Sequence, residues 1–247
     1  MMTPLRSYWR RLGIVFDWRF GLALILLFGI PRFFIVLQSN MSGNNQYISI
    51  IFMLMWVAPW LLLTNSGRRK MGIVWAKSGW LLLLVLVLGI AASAILYGIG
   101  TVLYGSEPEN WLVYIARSYP SEGLPEQRWM FFLISAGISM LFSPIGEELL
   151  FRGLIHDSFA QDVGNFRASL IDSSAFALIH LSHFGILYID GSWTFAWLPA
   201  LLWVVLMFLA SRLFYRCRVW ADSIWGAVCC HAGFNLGMTY FIYFYIL

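Results

Sequence analysis

The chain alternates long apolar blocks with short polar clusters, and the blocks have membrane length. Apolar stretches run near Phe20–Leu37, Tyr47–Leu63, Gly79–Tyr104, Trp129–Ser143, Ala168–Leu187, Trp193–Leu213 and Ala221–Leu247. A helix needs about 20 apolar residues to cross the hydrocarbon of a bilayer, so each stretch predicts a membrane-spanning helix. The expected fold class is an all-α polytopic transmembrane bundle of about seven spans. Pro144–Phe159 is an eighth candidate, a partly inserted helix. No Gly/Ser-rich linker, long loop or internal repeat divides the sequence, so residues 1–247 read as a single integral membrane domain.

Composition narrows the class further. Hydrophobic residues make up 60% of the chain and charged residues 11%, with a mean hydropathy of +0.75. A soluble domain carries roughly 25% charged residues, so a soluble globule, a disordered chain and a collagen-like fibre are excluded. The net charge of +4 resides between the apolar blocks, where membrane topology explains it better than a phosphate-binding surface; no nucleic-acid partner is expected. Cys217, Cys229 and Cys230 form no paired framework and no CxxC is present, which argues against redox chemistry and a thiolate zinc site.

The basic residues set an orientation. Arg6, Arg10, Arg11 and Arg19 precede the first block, which is too long for a signal peptide and is followed by no small-residue cleavage site, so it reads as an uncleaved span. If the spans alternate, this segment shares a side with the Arg68–Lys77 loop, the Arg152/Arg167 loop and the Arg212–Arg218 loop. The other side receives the uncharged Gln38–Gln46 turn, the acidic Glu107–Arg128 loop and a turn holding Asp190. By the positive-inside rule the N-terminus is cytoplasmic, in a cell (plasma) membrane, and with seven spans the C-terminus is outside. Arg32, late in the first span, is expected to snorkel to the outer interface.

Charged groups inside spans cost a few kcal/mol and need a reason. Glu147, Glu148, Arg152, Asp172, His180, His183, Asp222, His231 and Asn235 all fall in the second half, and the first half reads as scaffold. In Pro144-Ile-Gly-Glu147-Glu148-Leu-Leu-Phe-Arg152, the proline is expected to break one helix and start the next, placing both glutamates in a first turn. Glu148 and Arg152, four apart, share a helix face and can pair. Glu147 points about 100° away with no partner at that spacing, which leaves it free as a general base. The bland alternative puts both glutamates in a wet loop.

Phe176 and His180 share a face of a later span, with His183 close to it and Asp172 expected at the interface. His231 and Asn235, again four apart, bring an imidazole and a carboxamide into one space, donors of the kind that stabilise an oxyanion. Interhelical hydrogen bonding is the competing reading for both. Gly233 and Gly237 form a small-xxx-small pair that permits close helix approach, and Asp222 reads as a helix N-cap.

Glu147-Glu148-x-x-x-Arg152, Phe176-x-x-x-His180 and His231-x-x-x-Asn235 together resemble, in type, spacing and order, the CPBP family. This is the group of CAAX-processing and bacteriocin-processing intramembrane proteases that includes the Rce1-type prenyl proteases and the Abi proteins. The resemblance covers roughly residues 129–240, the catalytic region. It implies an endopeptidase with a catalytic cavity inside the bilayer and a membrane-associated peptide or lipidated protein as substrate. Carried over by position, Glu147 and His180 would activate a water, His231 and Asn235 would hold the oxyanion, and Arg152 would orient Glu148. Metal-free, glutamate-dependent chemistry without a cofactor is the favoured reading. Glu147, His180 and His231 could alternatively hold zinc with one open position, although HExxH is absent. The competing functions are a non-catalytic immunity or scaffold protein and, more remotely, a proton-coupled transporter, which would be expected to show repeated halves.

Overall fold

The computed structural model describes residues 4–121 and 124–247; Glu122, within the acidic loop, lies outside the described residues. Each of the seven apolar stretches contains a helix: α1 (Trp18–Ser42), α2 (Gln46–Leu62), α3 (Gly79–Tyr104), then, after the short α4 (Trp111–Ala116), α5 (Leu124–Glu147), α6 (His156–Ile179), α7 (Trp197–Ala221) and α8 (Ile224–Phe241). By length and composition, four helical stretches can cross a membrane, one of them the 58 residues of Pro125–Ser182, which include a corner at Gly164. The outer surface is apolar, as lipid requires: Leu27, Phe34, Ile95 and Leu133 are all exposed.

The polar connections gather at two poles. At one, Ile224 N donates to Gly72 O (2.9 Å), Trp18 N to Asp162 Oδ2 (2.8 Å), and Lys77 pairs with Asp222 (2.7 Å). At the other, Asn40 Nδ2 donates to Ser182 O (2.8 Å) and Arg117 Nη1 to Tyr188 O (3.3 Å). The helices therefore run back and forth between these two ends.

Several expectations need correction. Pro144 does not break its helix: it lies inside α5, which continues without interruption through a π-helical stretch, Glu148–Ile155, into α6. Trp56 Nε1 donates to Phe142 O (2.9 Å) and Asn235 Nδ2 to Ser139 O (2.8 Å), so neighbouring helices supply donors to carbonyls around the proline. There is thus no separate eighth helix at Pro144–Phe159, and Arg152 is buried rather than in a loop. The reversal comes instead at Gly164, whose φ of 77° and ψ of 161° suit a residue without Cβ. Beyond it the chain folds back so that Arg152 lies against Phe176 and His156 against Asp172, each pair symmetric about Gly164. Asp172 is accordingly buried, not interfacial.

The span expected to reach Leu187 ends at Ile179, and Trp193 precedes α7. Between them stands a hairpin that the all-α expectation omits, β1 (Ile186–Ile189) paired antiparallel with β2 (Ser192–Phe195). Asp190 and Gly191 both have positive φ, the two-residue turn that matches strand twist, and Tyr188 faces Trp193 across it.

Helices α3 and α8 pack backbone against backbone. A Cβ on Gly233 would run into Leu86 O, and one on Gly89 into Cys230 O, so the small-xxx-small expectation holds and its partner is α3.

Candidate active site

Hairpin register brings the first two motifs together. With Gly164 as the corner, Glu148 and His180 stand the same number of residues away, about 24 Å at 1.5 Å per residue, and so at one depth. Helix α8 adds His231 from the side. Glu147, Glu148, Arg152, His180 and His231 are all buried and lie together; half-buried Asn235 is one turn from His231.

The expected Glu148–Arg152 pair forms, Nε to Oε2 at 3.1 Å with both side chains inaccessible. Arg152 also donates from Nη2 to Ser211 Oγ (2.6 Å), and its guanidinium lies over Phe176, 4.3 Å from the ring centroid. The other oxygen of Glu148 accepts from His231 Nδ1 at 2.8 Å. A carboxylate offers no hydrogen, so Nδ1 carries the proton and His231 Nε2 points onward. Nε2 lies 3.8 Å from Glu147 Oε2, too far for a direct hydrogen bond.

Glu147 is not free. Arg32, expected at the outer interface, is 1% exposed and sets Nη2 at 2.5 Å from Glu147 Oε1. The same Nη2 lies 3.3 Å from His180 Nε2 and 3.2 Å from His183 Nε2. His180 Nδ1 donates to Phe176 O (2.6 Å), so Nε2 holds a lone pair and accepts from arginine. Both Nη2 hydrogens thus serve imidazoles, and the contact with Glu147 is one of charge. Arg32 Nε and Nη1 and Glu147 Oε2 are buried without a hydrogen bond.

Aromatic rings hold these groups in place. Phe176 packs against His180 at 4.2 Å with the rings tilted by 33°, and Phe214 lies parallel to His231 at 4.6 Å. Trp203 Nε1 donates to His180 O (2.9 Å). Asn235 Nδ2 donates to Ser139 O (2.8 Å) and, more weakly, to Ser143 Oγ (3.1 Å). The amide expected to serve an oxyanion is therefore already engaged, with the Ser143 bond the easier to exchange.

A cavity of about 630 Å³ meets these groups; Arg32, Glu147, His180, His183, His231 and Asn235 line it. The volume is ordinary for a small-molecule or peptide site. The zinc alternative fits poorly. Among the described residues no three His, Cys, Asp or Glu side chains converge on a metal-sized point, and the guanidinium of Arg32 lies between Glu147 and His180, where such ligands would have to meet.

Sequence reasoning missed Arg32 as a member of the site and, though it named His183 beside the His180 face, gave it no role. The available signal was the rule that a charge within a span needs a partner; applied to Arg32, it would have pointed away from snorkelling.

Residues 128–237 match the family model described as type II CAAX prenyl endopeptidase Rce1-like, a segment that holds all three motifs and excludes α1 with Arg32. No curated protein and no solved structure matches the chain.

Proposed function

Over residues 128–237 this chain belongs to the CAAX-protease family, and from that premise we propose that it is a metal-free intramembrane endopeptidase with Glu147 as its base. The observation that carries the reading is the unpartnered Oε2 of Glu147, buried, opening onto the cavity and facing His231 Nε2 at 3.8 Å. A water bonded to both atoms would sit at the floor of the cavity. Glu147 takes its proton, the hydroxide attacks the carbonyl carbon of the scissile peptide, and the carbonyl oxygen takes the charge. Glu147, now protonated, hands that proton to the leaving amine as the C–N bond breaks.

The geometry favours a division of roles different from the one the motifs imply. His231, fixed by Glu148, is the imidazole beside Glu147, whereas His180 Nε2 is bound to Arg32. Donors for the oxyanion are Asn235 Nδ2, exchanging its longer bond to Ser143, and the unpartnered Nη1 of Arg32. Such donors act most strongly where water is excluded. Glu148 and Arg152 are positioning residues that hold His231 without meeting substrate. The substrate is a membrane-associated peptide or protein.

The test compares membranes carrying wild type and Glu147→Gln for peptides released by cleavage. Loss of a defined cleavage product in Glu147→Gln, with the protein still inserted and folded, is expected. Equal cleavage by both would leave the polar cluster as packing and favour a scaffold.

A further inference from the structure

The cavity that ends on Glu147 has an open end and a closed end, and the two ends carry different charge. Towards the acidic pole its wall continues to the exposed residues Asn45, Gln46, Ser118 and Pro120. Helices α2 and α5 touch at their inner halves, where Trp56 stacks on Phe142 with ring centroids 5.3 Å apart and a Cβ on Gly146 would come 3.0 Å from Phe52 O. Beyond that contact both helices line the cavity, α2 through Ser49 and α5 through Ile138.

Towards the basic pole the site is sealed. Below Glu147 lie the buried Glu148–Arg152 pair and the inaccessible Leu150, Phe151, Leu154 and Ile155. Arg218 then ties three segments together, donating to Arg152 O, to Met71 O (3.0 Å) and to Asp157 Oδ1 (2.9 Å). A second hollow of about 330 Å³ lies on this side, lined by Lys70 and Arg218, and shares no lining residue with the first. A polypeptide entering here would have to break a fully buried ion pair, which costs several kcal/mol.

Apart from the buried Arg32 and Arg152, only Arg117 and Arg128 of the 16 Lys and Arg residues lie towards the open end. Under the positive-inside rule the sealed end is cytoplasmic. We propose that the cavity is loaded from the extracytoplasmic side, so that the substrate is a polypeptide segment presented on the outer face of the membrane and not a cytosolic chain end. The word substrate rests on the endopeptidase reading; the sidedness does not.

A membrane-impermeant maleimide, applied to intact cells expressing the full chain, decides this. In a Cys229→Ser background, with Cys217 and Cys230 buried, single cysteines are placed at Ser49, Ser118 and Lys70, all exposed. Ser49→Cys and Ser118→Cys are expected to react fully before permeabilisation, and Lys70→Cys only after it. The reverse order overturns the proposal. So does a Ser49→Cys that stays unmodified until denaturation, since the cavity would then be closed to the outside. Labelling does not require turnover, so failure of the protease reading would show separately as unchanged cleavage in Glu147→Gln.

Discussion

Replacing Arg32 by methionine tests the contact that joins α1 to Glu147 on α5. Met keeps much of the side chain's length and removes the guanidinium, leaving Glu147 with 1% exposure and no cation at 2.5 Å. Removing one partner of a buried pair costs about 3–5 kcal/mol, because the survivor stays desolvated without compensation. At ~2–4 °C per kcal/mol for a chain of this size, Arg32→Met should melt about 6–20 °C below wild type. Glu147→Gln strands the guanidinium instead and should also destabilise, though less, since Arg32 Nη2 keeps His180 and His183 as acceptors. The double variant removes both charges, so its melting point should recover much of the loss, with a coupling energy of about 2–3 kcal/mol, in the upper range for residues in contact. Thermal unfolding of purified protein in lipid nanodiscs, followed through the 13 tryptophans, measures all three against wild type. An Arg32→Met protein melting within about 2 °C of wild type, or strictly additive losses in the double variant, would refute a buried pair of this strength.

Other outcomes follow from the same geometry. Asn235→Ala removes the proposed oxyanion donor and should lower kcat about 100- to 1,000-fold with KM nearly unchanged; an effect on KM alone would assign the amide to substrate binding. Gly233→Leu should lose about 1–3 kcal/mol or fail to fold, because its Cβ meets Leu86 O, whereas Gly98→Ala on α3 meets nothing within 4 Å and should be tolerated; equal thermal stability of the two variants would contradict the close α3–α8 approach. A strong chelator should leave turnover unchanged, and activity lost on chelation and restored by zinc would reinstate the metal-ligand reading of Glu147, His180 and His231.

What the sequence made legible is what spacing along one helix decides. Glu148 and Arg152 pair as four-residue neighbours on one helix face, Phe176 and His180 pack together for the same reason, and the Gly233/Gly237 stripe meets another helix. What it hid is set between elements. Pro144 carries no sign that donors from α2 and α8 stand ready beside it, so a helix break was the natural expectation and the true corner, Gly164, went unmarked. Arg32 illustrates the larger point. With the first span ending at Leu37, its side chain stood about one turn and a half from the interface, within snorkelling reach. The helix runs on to Ser42, which puts the guanidinium about 15 Å below the end at 1.5 Å per residue. At that depth a charge has to find its partner inside the bundle, and the partner here is the glutamate that spacing alone had left unpaired. The first half of the chain is therefore more than scaffold: it contributes the cation that stands against Glu147 in the buried cluster.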